Sequence, residues 1–77
     1  MKEFIEYIAK QLVDNPESVV IDEKVDEDNR LLLSIRVSQS DIGKVIGKQG
    51  RTAAAMRVLL TAVAAKHGKR AVLEILD

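Results

Sequence analysis

The spacing of hydrophobic residues changes along the chain, and each change predicts a different element. Residues 2–13 have apolar side chains at helical spacing, which predicts an amphipathic helix that ends at the Asp-Asn-Pro of residues 14–16. Residues 18–25 are β-branched and then alternating, residues 26–29 have turn composition, and residues 30–38 alternate strictly, which predicts a hairpin of two strands. The apolar stripe of the helix comprises Phe4, Ile5, Ile8, Leu12 and Val13.

The second strand has the clearest two-faced pattern. Its predicted core face consists of Leu31, Leu33, Ile35 and Val37. Its other face, which is expected to be partly exposed, consists of Leu32, Ser34, Arg36 and Ser38. Residues 38–41 then supply hydroxyl and carboxylate groups that are expected to accept hydrogen bonds from the free amides of a short helix over residues 42–46. A Gly-Lys-Gln-Gly loop at residues 47–50 separates this helix from a longer one over residues 51–66, and Gly68 suits the left-handed position after it.

A last strand is predicted over residues 71–76, which are mostly apolar. The order of elements is therefore α-β-β-α-α-β. This order predicts an α+β fold in which the helices pack on one face of a three-stranded mixed sheet. Because a chain of 77 residues has room for a single hydrophobic core, we expect one domain over residues 1–77.

The composition excludes several classes of protein. There is no cysteine and only one histidine, which excludes a disulfide scaffold, a thiolate zinc site and the histidine pairs of common catalytic metal sites. Neither a metal nor a cofactor is therefore expected. The first helix carries acidic residues and no apolar run reaches the length of about 18 residues that a membrane span needs, so neither a signal peptide nor membrane insertion is expected. These features favour a cytoplasmic protein.

The net charge of zero conceals a segregation of charge along the chain. Residues 1–29 contain nine acidic and three basic side chains, whereas residues 30–70 contain one acidic and nine basic side chains. We expect a dipolar surface with one basic face suited to a polyanion, although an uneven distribution of solvated charges would give the same counts.

The glycine loop at residues 47–50 has the most distinctive local chemistry. Glycine allows a positive φ and a close approach of another backbone, and the helix after the loop points its unpaired amides and the positive end of its dipole at it. Lys44, Lys48 and Arg51 add positive charge around the loop. We therefore expect contact with phosphate groups, and the alternative is a turn that merely joins two helices.

The loop does not match a nucleotide-binding P-loop. Gly43 and Gly47 are separated by three residues instead of four, and Gln49 follows Lys48 where a magnesium-binding hydroxyl would be needed. The loop also joins two helices, whereas P-loops and dinucleotide-binding loops follow a strand. NTP hydrolysis is therefore not expected.

Residues 45–51, with the sequence VIGKQGR, resemble the GXXG signature of the KH domain. The order of elements resembles the type II KH fold over the whole chain, and a single KH domain of this length is similar to the small bacterial RNA-binding KhpA family. The resemblance implies that the chain holds about four nucleotides of single-stranded RNA, with the loop clamping their backbone. It also implies a role as an RNA chaperone or post-transcriptional regulator, linked to cell division and cell-wall synthesis.

Carried over onto matching positions, the resemblance implies an RNA groove beside the short helix. Gly47 and Gly50 allow close backbone approach, Lys48 and Gln49 are the exposed pair, and Ile46 is an apolar residue of the groove. The expected RNA-binding residues are Ile42, Gly43, Lys44, Ile46, Gly47, Lys48, Gln49, Gly50 and Arg51.

The sequence does not decide whether three residues outside the loop take part in RNA binding. Ala53 stands where many KH motifs have an isoleucine, which leaves the floor of the groove and its base preference undecided. Arg36 and Arg57 reach the RNA only if their faces point to the groove. Stacking platforms are not expected, because the only aromatic residues are Phe4, expected in the core, and Tyr7, expected to be partly exposed.

The helix over residues 51–66 is apolar on two faces. Its inner stripe is predicted to contain Ala53, Met56, Leu60, Val63 and Ala64. A candidate interface on its second face consists of Ala55, Val58, Leu59 and Ala62. A homodimer is the simplest partner, because a two-fold contact uses one patch twice, and the resemblance implies self-pairing or pairing with a larger KH-containing protein of the KhpB or Jag type. The alternative function is thus an interaction module with weak or no RNA binding, and the alternative for the helix is harmless exposure of small side chains.

Enzymatic chemistry is not expected. His67 stands at a predicted helix end beside Lys66 and Lys69, where a capping cation is the simpler role. The acids of residues 22–28 lack the spacing of an EF-hand, and no nucleophile and base are paired. No small-molecule substrate is therefore expected.

Overall fold

The central strand of the sheet corresponds to the alternating segment of the sequence. The computed structural model describes residues 1–76, and within them the elements follow the predicted order α-β-β-α-α-β. The helices are α1 (Lys2–Leu12), α2 (Ile42–Ile46) and α3 (Arg51–Lys66), and the strands are β1 (Val20–Val25), β2 (Arg30–Arg36) and β3 (Arg70–Leu76). Short 3-10 turns cover Pro16–Ser18, Gln39–Asp41 and Lys48–Gly50.

Strand β1 starts later than the sequence predicts, at Val20. The preceding turn, Pro16–Ser18, is closed by a hydrogen bond of 3.2 Å from the Val19 N–H to the Pro16 carbonyl. β-branched residues alone therefore do not extend the strand back to residue 18, because a proline-initiated turn holds that part of the backbone.

β2 lies between β1 and β3 in the sheet. It is antiparallel to β1, with Ile21 opposite Ile35, and parallel to β3, with Leu33 beside Leu73. A short turn joins the antiparallel strands, whereas the parallel pair requires a crossover connection, which α2 and α3 provide. The predicted α+β fold with a three-stranded mixed sheet is confirmed.

The hydrophobic core lies between the helices and one face of the sheet. Its buried residues include Ile5 and Ala9 from α1, Met56 and Leu60 from α3, and Leu33 and Ile35 from β2. Leu31 and Val37 are also buried, so the predicted core face of β2 is confirmed. Burial of each such Leu or Ile side chain stabilises the fold by roughly 1.5–3 kcal/mol. The same packing turns the opposite face of α3 to solvent.

The prediction that Phe4 is a core residue is wrong. Its side chain is 37% exposed, whereas Ile5 and Ala9 are fully buried. Because consecutive helical residues are about 100° apart around the axis, a helix that centres Ile5 and Ala9 on the sheet leaves Phe4 on its flank. The apolar stripe of α1 is wider than the surface with which α1 contacts the core. Tertiary packing therefore determines that the edge of the stripe with Phe4 is exposed.

The expected capping of α2 by residues 38–41 is also wrong. No described side chain caps α2, and the hydroxyls of Ser38 and Ser40 hydrogen bond to each other at 2.9 Å. Asp41 is instead completely buried, and its carboxylate faces the end of α1. A buried carboxylate needs hydrogen-bond donors, and the backbone amides of the segment after α1 supply them.

Candidate nucleic-acid interface

The loop between α2 and α3 has a tightly bent backbone. Gly47, Gln49 and Gly50 have φ angles of +79°, +57° and +73°. The Gly47 N–H donates to the Gly43 carbonyl at 2.9 Å, and the Gly50 N–H donates to the Gly47 carbonyl at 3.1 Å. Three residues with positive φ within four positions turn the chain from one helix directly into the next.

The two glycines of the loop are required for different reasons. A β-carbon on Gly47 would collide with Thr52, because it would lie 2.8 Å from the Thr52 backbone nitrogen. A β-carbon on Gly50 would meet no atom within 4 Å, so only its positive φ favours glycine. The absence of a β-carbon at Gly47 therefore allows the loop to pack on α3, whereas the absence of a side chain at Gly50 leaves open space beside the backbone.

The start of α3 faces this loop without a side-chain cap. Gly50 occupies the N-cap position, and no side chain among the described residues bonds to the first amides of the helix. Lys48, Gln49 and Arg51 are exposed around this helix end. The Arg51 N–H donates to the Lys48 carbonyl, so the amides that follow it are the ones left without a side-chain cap. These amides, the positive end of a 16-residue helix and two exposed cations converge on one spot, which is suited to a phosphate group.

Helix α2 provides an apolar ledge beside the loop. Ile46 is 37% exposed, Gly43 has open space where a side chain would be, and Ile42 is half-buried against the core. Positions three and four apart lie on one helix face, so these residues form one surface that continues into the loop. Ala53, in contrast, is only 3% exposed and belongs to the buried side of α3.

Lys44 lies near the loop, but its charge is already paired. Its ammonium is 2.6 Å from Oδ2 of Asp14 and 3.3 Å from Oδ1 of Asp41. The hydrogen bond to Asp14, followed by the one to Asp41, raises the pKa of Lys44. The structure therefore brings Lys48 and Arg51 together as cations of the loop and directs Lys44 to two carboxylates.

Asp41 is a functional candidate that the motifs did not single out. It is the only acidic residue in residues 30–70, and this isolation in a basic segment is the signal that could have identified it. Burial raises the pKa of its carboxyl, but hydrogen bonds from Asp14, Asn15 and Lys44 outweigh burial and hold the pKa below its ordinary value. Asp41 therefore remains a carboxylate in the folded protein.

Among the described residues, neither Arg36 nor Arg57, whose roles the sequence did not decide, forms a hydrogen bond or ion pair with the loop. Arg36 is exposed at the end of β2. The Arg57 Nε donates to the Leu73 carbonyl at 3.4 Å, which places the Arg57 guanidinium over β3. The contact of Arg57 with Leu73 directs its guanidinium to β3 and not to the glycines.

The outer face of α3 is exposed, as predicted. Val58 is 68% and Leu59 is 48% exposed, and the alanines of the candidate interface, Ala55 and Ala62, are also exposed. An open groove of about 370 Å³ follows this face and is lined by Arg57, Val58, Thr61, Ala62 and Ala65. This surface is separate from the glycine loop.

Other polar groups have structural roles. The N–H groups of Gly68 and Lys69 donate to the carbonyls of Ala65 and Ala64, which closes the end of α3 with Gly68 in the left-handed conformation, as predicted.

Within residues 1–76 no three His, Asp or Glu side chains gather as a metal site. In the same residues, no helix is both long and apolar enough to cross a membrane.

Comparisons with known proteins agree with this architecture. The family profile described as "KhpA/KhpB, KH domain" matches residues 2–75. The chain is 50% identical over 76 residues to the RNA-binding protein KhpA of Clostridium perfringens, with 99% of this chain and 100% of the relative covered. It is 47% identical over 77 residues to the KhpA proteins of Aquifex aeolicus and Chlamydia trachomatis, with all of this chain and 96% and 97% of the relatives covered. No solved structure gives a significant match.

Proposed function

Because the chain belongs to the KhpA/KhpB family of KH domains, we propose that it is a non-enzymatic protein that binds short single-stranded RNA. In this proposal residues 1–77 form one KH domain, and the RNA backbone lies against the loop of residues 47–50. A KH groove holds about four nucleotides through shape, aliphatic contacts and hydrogen bonds. The related proteins named above are each described as RNA-binding, which supports the ligand class.

The observation that carries the proposal is the uncapped start of α3 behind the loop. A phosphate at this position would accept hydrogen bonds from the amides after Arg51, which no side chain caps, and would interact with Lys48 and Arg51. Gln49 is exposed at the tip of the same turn. A β-carbon on Gly50 would meet no atom within 4 Å, so a phosphodiester can approach this side of the residue without meeting a side chain.

The bases would lie along the ledge formed by Ile42, Gly43 and Ile46. This ledge is apolar, and exposed aromatic side chains are absent from α2 and the loop. Recognition would therefore depend on shape and on edge hydrogen bonds more than on stacking. We propose an affinity that is modest and falls as salt rises, because phosphate contacts release counterions.

The proposal extends to a role as an RNA chaperone or post-transcriptional regulator in the cytoplasm, acting as a homodimer or with a partner of the KhpB or Jag type. The exposed face of α3, centred on Val58 and Leu59, is the contact surface in this proposal. Two linked grooves would raise the affinity for a longer RNA through effective concentration. Apolar exposure on this face also favours a second candidate function, an assembly module whose own RNA binding is weak.

The test of RNA binding is fluorescence anisotropy with a labelled, degenerate single-stranded RNA of about a dozen nucleotides, at low and at physiological salt. The test variant is Lys48→Asp with Gln49→Asp, because both side chains are exposed and an aspartate tolerates the left-handed position of Gln49. The matched control is Lys2→Asp with Gln11→Asp, which makes the same charge change on exposed positions of α1. Circular dichroism verifies folding.

We expect the wild type and the α1 control to bind, and the loop variant to lose binding while remaining folded. Equal binding by both double variants would exclude the loop as the phosphate contact. A wild type that does not bind at low salt but self-associates would favour the assembly module.

A further inference from the structure

Helix α2 is too short to fix its own position. It comprises five residues, Ile42–Ile46, and isolated helices below about 12 residues are marginal in water. Its orientation must therefore come from tertiary contacts. Within α2 only Val45 is completely buried in the core. Because Gly47 follows the helix directly, any rotation of α2 moves the loop.

A second anchor lies immediately before α2. We name the group formed by Asp14, Asn15, Asp41 and Lys44 the polar clamp. Oδ1 of Asp41 accepts from the Asp14 N–H at 3.2 Å, and Oδ2 accepts from the Asn15 N–H at 3.0 Å and from the Asn15 side-chain amide at 3.1 Å. The Lys44 ammonium, at 3.3 Å from Oδ1, completes the set.

The clamp joins parts of the chain that are far apart in sequence. Asp41 and Asn15 are 26 positions apart, and the ion pair of Lys44 with Asp14 spans 30 positions. The contacts fix the start of α2 to the segment that follows α1. Asp41 is fully buried, so water cannot replace these donors without opening the structure.

From this geometry we propose that Asp41 is a positioning residue of the RNA site, and that Lys44 belongs to the polar clamp and does not contact phosphate. The clamp holds α2, and α2 presents the loop at the angle at which its amides and Lys48 meet the same phosphate. This inference rests on the proposed RNA binding and assigns a role to residues that do not touch the ligand.

Whether Asp41→Asn raises or lowers the RNA affinity distinguishes the positioning role from a purely electrostatic effect of the carboxylate. Replacing a carboxylate by an amide removes one negative charge, which by itself strengthens binding to a polyanion. The positioning role predicts the opposite result for Asp41→Asn, because an amide presents its NH₂ group to donors that need an acceptor. Glu17→Gln makes the same charge change at an exposed position and serves as the matched control.

The experiment measures RNA affinity by anisotropy at several salt concentrations, with each value corrected for the folded fraction. We expect Asp41→Asn to bind about tenfold more weakly, as loss of hydrogen bonds to a charged group implies, with an unchanged dependence of log Kd on log salt. Lys48→Met should instead reduce that slope by about 0.7, the value for one phosphate contact on a single strand. Lys44→Met should leave the slope unchanged.

Amide hydrogen exchange at residues 47–50 distinguishes the two roles, because a contribution of Asp41 to overall stability alone would not change the exchange rate of this loop selectively. We expect faster exchange in the loop of folded Asp41→Asn, while α3 and the sheet keep their protection. If Asp41→Asn does not fold, Asn15→Ala removes one donor of the clamp and is expected to give a smaller loss of affinity and the same local change.

Each experimental outcome tests a different part of the proposal. Wild-type affinity in folded Asp41→Asn, or affinity that rises as in Glu17→Gln, overturns the positioning role. A reduced salt slope for Lys44→Met overturns its assignment to the clamp. Failure of the wild type to bind RNA overturns the proposed function, whereas unchanged loop exchange in folded Asp41→Asn or Asn15→Ala overturns the clamp independently of RNA.

Discussion

Gly47 packs against Thr52 with no space for a β-carbon between them. An added carbon would overlap the Thr52 hydroxyl and lie 2.8 Å from the Thr52 backbone nitrogen. The residue also has a φ of +79°, which L side chains rarely adopt. The loop therefore requires glycine at this position for two reasons: the close packing against Thr52 and the positive φ.

Gly47→Ala is expected to weaken RNA binding by about tenfold or more and to destabilise the fold by roughly 1–3 kcal/mol, because it combines a steric clash with backbone strain. Anisotropy and urea denaturation measure the two effects. Gly50→Asn is the matched control for stability alone: its β-carbon meets no atom within 4 Å, and asparagine tolerates a left-handed backbone. Because Gly50 lies in the proposed phosphate site, the control for affinity is Gly68→Ala, at a glycine with positive φ outside the loop. Equal affinity of Gly47→Ala and the wild type would contradict the prediction.

Gly68→Ala should reduce stability by about 1 kcal/mol without changing RNA affinity. Gly68 has a φ of +70° at the end of α3, far from the loop in sequence. The midpoint of urea denaturation measures the loss, and Gly68→Asn should restore part of it. A loss of RNA affinity in folded Gly68→Ala would show that the two ends of α3 are coupled, against this expectation.

Acid should destabilise the protein partly through Asp26. Hydrogen bonding from the Arg30 backbone N–H, together with the Arg30 guanidinium at 2.7 Å, holds the pKa of Asp26 below its ordinary value of 3.8. A lowered pKa stabilises the folded state at a pH above the unfolded pKa, and this contribution disappears as the pH falls through the folded value. The relevant window therefore lies below 3.8.

Asp26→Asn is expected to lower the thermal midpoint at neutral pH, and the difference from wild type should shrink as the pH falls through this window. Thermal denaturation followed by circular dichroism at a series of pH values measures it. Asp28→Asn, at an exposed position of the same turn, is the comparison. A constant difference between Asp26→Asn and wild type at every pH would contradict the assignment.

Val58→Glu should abolish self-association if α3 forms the proposed contact between copies. Val58 is 68% exposed, so glutamate is compatible with the fold of one copy but would bury a charge in a symmetric apolar contact. Size-exclusion chromatography with light scattering measures the mass. Tyr7→Glu, at a position that is 66% exposed on α1, is the matched control and should keep the wild-type mass. A monomeric wild type at all concentrations would refute the contact.

The sequence by itself determined the elements and their order. Alternation over β2 and helical spacing over α1 and α3 are local signals, because the backbone of each element repeats every two or 3.6 residues. The core face with Leu33 and Ile35 and the left-handed Gly68 followed from the same local rules. The mixed sheet followed from connectivity, since a crossover of two helices joins parallel strands.

Only the tertiary structure decided which polar and apolar groups meet. It exposed Phe4 while burying Ile5, because the contact of α1 with the sheet is narrower than its apolar stripe. It also paired Lys44 with Asp14 and buried Asp41 against Asn15, across separations of 30 and 26 positions. Such contacts do not produce a repeating pattern of residue types in the sequence, because they depend on how separate elements pack and on which buried groups need partners.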